Sequence, residues 1–211
     1  MDKKHLDLIL EGDFDFDIRE AIESGWETYK KVAIYSISFT LLIVSLQFLF
    51  MYYAENFLFV YSFFLAGPLF AGFYLVANKI SHGEQVIYPD FFKGFNYYLP
   101  VVLVWIVGQV ITVLGIFALI LPGIYLMVGY MFSILITIFS GMDFWNSLEY
   151  SRKIIHKKWT KFFLFGLVLA LMNLIGGLLF GIGLVVTIPL TYYAIYHVFE
   201  SLNLGLPIDE E

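Results

Sequence analysis

The stretch Val101–Ser140, VVLVWIVGQVITVLGIFALILPGIYLMVGYMFSILITIFS, contains no charged side chain from end to end. A membrane-spanning helix needs about 20 apolar residues, so this segment, twice that length, reads as two helices folded back on each other. Gly115 is the expected turn, because glycine tolerates the dihedrals of a tight reversal. Phe162–Phe199 repeats the pattern, with Asn173 and His197 its most polar members and Gly181 and Gly183 the expected turn positions. Upstream, Val32–Tyr53 and Phe57–Ala77 are parted only by Ala54-Glu55-Asn56. The reading is an all-α integral membrane protein with six transmembrane helices in three hairpins. The spans fall at about 32–53, 57–77, 100–114, 116–140, 162–180 and 184–200. Residues 1–17 and 201–211 are read as acidic cytoplasmic tails around a membrane domain at 18–200.

Composition agrees with this. The 211 residues are 60% hydrophobic and 14% charged, whereas soluble domains carry about 45–50% and about 25%. Too few polar residues remain to cover a water-exposed surface. The absence of cysteine excludes a disulfide scaffold, and the hydrophobicity excludes a disordered chain. The net charge of −6 argues against a nucleic-acid partner. Nor is the first apolar segment a cleavable signal, since a long polar stretch rich in Asp and Glu between Asp7 and Glu23 precedes it. A signal has a short basic start and an apolar run of about 7–15 residues.

The basic residues set the orientation. All 12 Lys and Arg lie before the first span, between the second and third, or between the fourth and fifth. Loops rich in Lys and Arg stay in the cytoplasm, which places both termini there and leaves Glu55 as the only charge outside.

Three segments that precede odd-numbered spans share a frame: Ile22-Glu-Ser-Gly25-Trp26-Glu-Thr-Tyr29, Phe91-Phe-Lys-Gly94-Phe95-Asn-Tyr-Tyr98 and Leu148-Glu-Tyr-Ser151-Arg152-Lys-Ile-Ile155, at offsets of 69 and 126. The first and third stay in register into the membrane, where Gln47 falls on Asn173. Each copy ends in a helix holding one proline: Pro68, Pro122 and Pro189. This is the pattern of a pseudo-repeated hairpin. Two spans per unit relate the copies by rotation about the membrane normal, unlike the inverted repeats of many secondary transporters. Ile18, Ile22, Trp26 and Tyr29 form one helical stripe, and Phe144, Leu148, Ile155, Trp159 and Phe162 another. Both segments read as amphipathic helices that either lie in the headgroup region or pack on the ends of the bundle.

Chemistry-bearing residues are sparse. Proline frees the carbonyl four residues earlier, so Pro68, Pro122 and Pro189 would release those of Phe64, Ala118 and Val185. The outcome is either a polar pocket built from three symmetric kinks or kinks that neighbouring helices satisfy. Gln47, Gln109 and Asn173 are the only amides in the spans, and they either bond helix to helix or line a shared cavity with Thr187. No acidic or basic residue accompanies them, which argues against a proton relay or voltage sensor. His5, His82, His156 and His197 are scattered, and no metal-binding or nucleophile motif is present. No cofactor and no catalytic residue is therefore assigned. The cluster Arg152, Lys153, Lys157, Lys158 and Lys161 is the best ligand-facing feature, since juxtamembrane cations attract anionic headgroups at about 1 kcal/mol each. The acidic N-terminal stretch, where Asp13, Asp15 and Asp17 alternate with Phe14 and Phe16, either lies over that cluster or docks on a partner.

Leu121-Pro122-Gly-Ile-Tyr125, Phe144-Trp-Asn-Ser-Leu-Glu-Tyr-Ser151-Arg-Lys153 with Lys157-Lys-Trp159, and Gly181-Ile-Gly-Leu-Val-Val-Thr-Ile-Pro189-Leu190 together resemble a bacterial membrane family. That family includes the integral membrane domain of some glycerophosphoryl diester phosphodiesterases and stand-alone six-span relatives. The resemblance implies a location in the bacterial cytoplasmic membrane and no catalytic residues in the membrane part. The leading expectation is a non-enzymatic protein that binds membrane lipid, anionic lipid included, or supports a protein partner of the envelope through its cytoplasmic face. The alternatives are a small-solute transporter or channel with a proline-kinked core, and a membrane enzyme acting on a lipid or isoprenoid.

Overall fold

The computed structural model describes residues 3–179 and 181–204, and every regular element among them is helical. The expected tail at 205–211 lies outside the described residues. A short helix α1 (Lys3–Glu11) and an extended strap lead into α2 (Ile18–Lys31) and α3 (Ala33–Tyr53). The next apolar segment is composite. A 3-10 turn at Glu55–Phe57, α4 (Leu58–Val60) and a π turn at Tyr61–Leu65 run into α5 (Ala66–Ser81). A 3-10 segment, Tyr88–Tyr97, precedes α6 (Tyr98–Ala118). The chain returns through α7 (Ile120–Gly129) and α8 (Ser133–Ser140), then follows α9 (Phe144–Lys157), α10 (Trp159–Leu178) and α11 (Leu184–Leu204).

Five of these segments are long and apolar enough to cross a membrane: Ala33–Tyr53, Glu55–Ser81, Tyr88–Ala118, Ile120–Ser140 and Trp159–Leu178. In the third, the charged residues Asp90 and Lys93 both lie in the Tyr88–Tyr97 part, and α6 supplies the charge-free run. The sixth expected span, on α11, is as long as α3, but Thr187, Thr191, three tyrosines, His197 and Glu200 make it more polar. That composition suits its place, because α11 packs against α2, α3, α5 and α10. The segments divide into an outer and an inner set. In the apolar windows of α3 and α10, 22% of residues are buried, against 56% in the second segment and 50% in the fourth.

Local sequence explains how the helices start. The Asp17 carboxylate accepts from the backbone N–H groups of Arg19 and Glu20, and that of Asp143 from those of Trp145 and Asn146. Both are N-caps, which satisfy donors that the first helical turn leaves open. α2 and α9 each run 14 residues and end at a single non-helical residue, Val32 (φ −130°, ψ 27°) or Lys158 (φ −128°, ψ 40°). Caps, lengths and break residues thus agree at an offset of 126. The middle break, Tyr97 (φ −108°, ψ 29°), falls short of an offset of 69.

These pre-span segments are seated in a closed order. The Tyr88–Tyr97 segment packs on α5, α9 on α7 and α8, and α2 on α11. A small residue marks each seat. A Cβ on Gly94 would sit 2.0 Å from the Pro68 carbonyl oxygen, and one on Gly72 1.9 Å from that of Phe91. On Gly25 it would meet the Ala194 nitrogen at 2.9 Å. At the equivalent position in the third segment, the Ser151 hydroxyl donates to Gly129 O (2.7 Å) and accepts from Phe132 N–H (3.1 Å). Those groups belong to the break between α7 and α8, so Ser151 supplies the partners that the interrupted helix lacks. Of the two placements open for the α2 stripe, packing on the bundle does not apply to Trp26. The buried residues of α2 are Ala21, Gly25, Thr28 and Tyr29, whereas Trp26 is 42% exposed, because close seating on α11 requires the small-residue face.

Two turn expectations separate. Between α6 and α7 the chain reverses at extended Leu119 (φ −160°, ψ 133°), not at Gly115, which packs against Gly123 across the hairpin. The later turn does use Gly181, with φ +77°. The three prolines are not equivalent kinks. Pro122 falls in the first turn of α7, where a missing N–H is tolerated; Pro68 follows directly on the π turn Tyr61–Leu65 within a continuous helical segment, and Pro189 lies inside α11.

Candidate functional site

The five cations expected to face a ligand gather at the basic end of the bundle, and each already has a partner within the chain. Arg152 grips Glu149 with two parallel bonds of 2.8 and 2.7 Å and reaches the Tyr125 hydroxyl at 3.3 Å. Its charge holds the Glu149 carboxyl below its usual range. Lys153, half exposed, lies 3.5 Å from the same carboxylate. The remaining three belong to the N-terminal segment. Lys157 donates to the carbonyls of Leu10 (2.7 Å) and Gly12, closing the C-terminal end of α1, where a cation also complements the helix dipole. Lys158 pairs with Asp13 at 3.1 Å and Lys161 with Asp15 at 2.5 Å. The Lys161 bond lowers the pKa of Asp15.

Residues 3–17 are therefore not a free tail. Leu6 and Ile9, three apart on α1, are 0% and 2% exposed, and α1 packs on α9 and α11. The strap after it alternates in the way extended chain demands. Phe16 turns inward onto Phe162 and Phe165, with ring centroids 4.7 and 5.8 Å away, and Phe14 meets Phe162 at 6.4 Å. Lys157 stands over the Phe14 ring and Lys161 over that of Phe16, at 5.6 and 5.2 Å. Tyr150 ties α9 to α1 by donating to Asp7 at 2.7 Å, and that bond pushes its pKa up to about 12. Of the two placements open for the acidic stretch, the structure has the one over the basic cluster.

A second ionic knot lies beside α5. Asp90, 2% exposed, accepts from Ile87 N–H and pairs with Lys79 at 3.0 Å and Lys93 at 2.7 Å. Burial disfavours its charge, but the backbone bond and the two lysines outweigh that and hold its pKa at about 2. It fastens the loop after α5 to the Tyr88–Tyr97 segment.

The three amides do not converge. Gln47 is exposed on α3 and makes no side-chain hydrogen bond among the described residues. Asn173 donates to Leu169 O within α10 at 2.9 Å and, across to α11, to the Thr191 hydroxyl at 2.6 Å. Its Oδ1 and the Thr187 hydroxyl remain buried and unpaired. Gln109 alone lines a large internal space, a cavity of about 480 Å³ bounded by α5, α6, α7, α8 and α11. Pro68, Pro122 and Pro189 do not line it. The histidines stay apart: His82 bonds Asn78 O, His156 bonds Tyr125, and His197 bonds Thr28 and pairs with Glu200. No group of three His, Asp or Glu residues suited to a metal occurs among the described residues.

The docking of residues 3–17 had a visible signal. The alternation Asp13-Phe-Asp-Phe-Asp17 matches the spacing of Lys158 and Lys161 around a buried Phe162. Ser151, by contrast, gives no such signal, because its role depends on a helix break that hydropathy does not show. No family model matches the chain, and comparison with curated proteins and with solved structures finds no relative.

Proposed function

We propose that this chain is a six-span protein of the bacterial cytoplasmic membrane, with both termini inside, that binds anionic lipid headgroups at its basic end without catalysing a reaction. α11, at 21 residues, extends about 31 Å, enough to cross a hydrocarbon core of about 30 Å. Its polar residues are accommodated because other helices surround it. The pairing of α2–α3 with α9–α10 at one offset supports a repeated hairpin, with the Tyr88–Tyr97 segment and α6 as its more divergent copy. The resemblance of the Leu121–Tyr125, Phe144–Trp159 and Gly181–Leu190 motifs to the phosphodiesterase membrane domains supports the same kind of bundle.

The observation that carries the lipid reading is the row Lys157, Lys158 and Lys161, whose partners are carbonyl and carboxylate oxygens of residues 9–15. Oxygen acceptors thus stand where headgroup phosphates would bind. Asp13 and Asp15 have side chains 87% and 68% exposed, and pairs this open contribute only about 0–1 kcal/mol. At a bilayer surface crowded with anionic phosphates, the Asp13 and Asp15 carboxylates are weak competitors for Lys158 and Lys161 and give way to headgroups, while Leu6, Ile9 and Phe16 keep the segment anchored. The test is retention of phosphatidylglycerol against phosphatidylcholine by the full chain, read by native mass spectrometry from mild detergent. Lys157→Gln/Lys158→Gln/Lys161→Gln should lose the preference for the anionic lipid, and Asp13→Asn/Asp15→Asn should strengthen it. Equal retention by the lysine variant and the unaltered protein would sink the reading.

A further inference from the structure

Beside the break between α7 and α8 lies the cavity that Gln109 lines. Its volume of about 480 Å³ is within the range of about 300–1,000 Å³ usual for small-molecule sites. No carboxylate, amine, guanidinium or imidazole lines it. Its rim is apolar and open: Val113 and Met127 are 47% and 58% exposed. In a membrane that mouth faces hydrocarbon rather than water.

The polar groups in its wall divide into two sets. Trp105 donates to Ser62 O, Ser133 to Tyr130 O, and the Thr191 hydroxyl is engaged by Asn173 and Thr187 O, so these are satisfied within the protein. The Gln109 amide and the hydroxyls of Tyr74, Thr112, Tyr130 and Tyr192 have no hydrogen-bond partner among the described residues. Tyr74 is 3% exposed overall and lines the cavity, so the little surface it keeps belongs to a residue of this wall. An unpaired polar group in hydrocarbon is costly, and several at one apolar cavity call for an occupant with a matching group. The break between α7 and α8 points the same way. Tyr130 and Met131, at that interruption, line the cavity, and irregular backbone at membrane depth is tolerated where it is buried or borders a cavity.

We infer that this cavity binds an uncharged lipid whose one polar group is a hydroxyl or carbonyl. The amide and the phenols donate to or accept from that group, the apolar wall holds the chain next to it, and entry is sideways from the bilayer. An ionised headgroup is excluded because the cavity offers no opposite charge to offset its desolvation. This site is distinct from the lysine row and does not depend on it.

The experiment uses the full chain in nanodiscs and a diazirine-bearing C18 alcohol, with labelled peptides identified by mass spectrometry. The alcohol should label α6 and the α7–α8 break saturably, and oleyl alcohol should compete while oleate at pH 8 should not. Gln109→Leu, close in volume, should weaken competition by oleyl alcohol about tenfold, the effect of one lost hydrogen bond. Met127→Trp, altered only at the exposed rim, should reduce saturable labelling without changing the thermal unfolding midpoint. Labelling that does not saturate, oleate competing as well as the alcohol, or both variants binding like the unaltered protein would each overturn the proposal. Because the lysine variants are expected to leave this labelling unchanged, the two readings fail separately.

Discussion

The helix pairs α2–α3 and α9–α10 share a plan but differ in what they carry. Both begin on a capping aspartate, run 14 residues, break at one residue and continue into a long apolar helix. Yet α2 meets α11 through a glycine, whereas α9 meets α7 and α8 through a serine that hydrogen-bonds into a broken helix. The pair α2–α3 leaves Gln47 exposed, and α10 engages Thr191 of α11 through Asn173. The backbone plan therefore resides in caps and breaks. The site chemistry resides in substitutions that leave that plan untouched.

The comparison can be broken most forcefully at the two seats. Gly25→Leu forces side-chain atoms into the Ala194 backbone and should cost about 3 kcal/mol or more, since closely packed contacts tolerate extra volume poorly. Ser151→Ala should cost about 2 kcal/mol, because Phe132 N–H and Gly129 O lose their side-chain partner. Denaturant unfolding in mild detergent, followed by tryptophan fluorescence, measures both. Equal small losses would show that the seats are not close contacts.

The middle segment sharpens the comparison through pH. Asp90 has a folded-state pKa of about 2, below its ordinary 3.8. Its contribution is therefore complete above pH 3.8 and lost as pH falls through about 2. That shift corresponds to about 2 kcal/mol. Asp90→Asn should remove the acid-dependent loss between those values, and an unchanged acid transition would refute it.

Smaller effects test the equivalence of the caps. Asp17→Ala and Asp143→Ala should each cost about 1 kcal/mol, and losses differing by much more than that would show that the shared offset does not reflect shared energetics. Smallest of all, Asn173→Leu should cost about 0.6 kcal/mol, and Gln47→Leu, on an exposed face, close to nothing by the same measure. A larger loss from Gln47→Leu would place that amide in an interface.

Much of this was legible in the sequence because it depends on local order. Charge-free runs mark the five apolar segments, and the register that carries Ile22–Tyr29 onto Leu148–Ile155 marks two capped helices in the same frame. What escaped depends on contacts between distant parts. Nothing in the run around Pro122 says that it starts a helix rather than kinking one, because the preceding reversal uses Leu119, a residue with no turn preference. The alignment of Gln47 with Asn173 at one offset did not imply contact: Gln47 is exposed on α3, and Asn173 bonds Thr191. The N-terminal stretch up to Asp17 reads as a tail because its apolar content is low, although Leu6, Ile9, Phe14 and Phe16 suffice to anchor it. Tyr74 and Gln109 come together only when α5 and α6 are both in place.

The seat of α2 on α11 also has a consequence in time. Thr28 bonds His197 at 2.7 Å, joining α2 to α11 across a separation of 169 residues in the chain. At ribosomal speeds of about 5–20 residues per second, roughly ten to thirty seconds separate the emergence of those two side chains. During that interval Gly25, Thr28 and Tyr29 have no α11 to cover them. A chain stopped before residue 184 would lack the closing member of the order in which each pre-span segment is seated. Assembly of this bundle is completed only once α11 has been made.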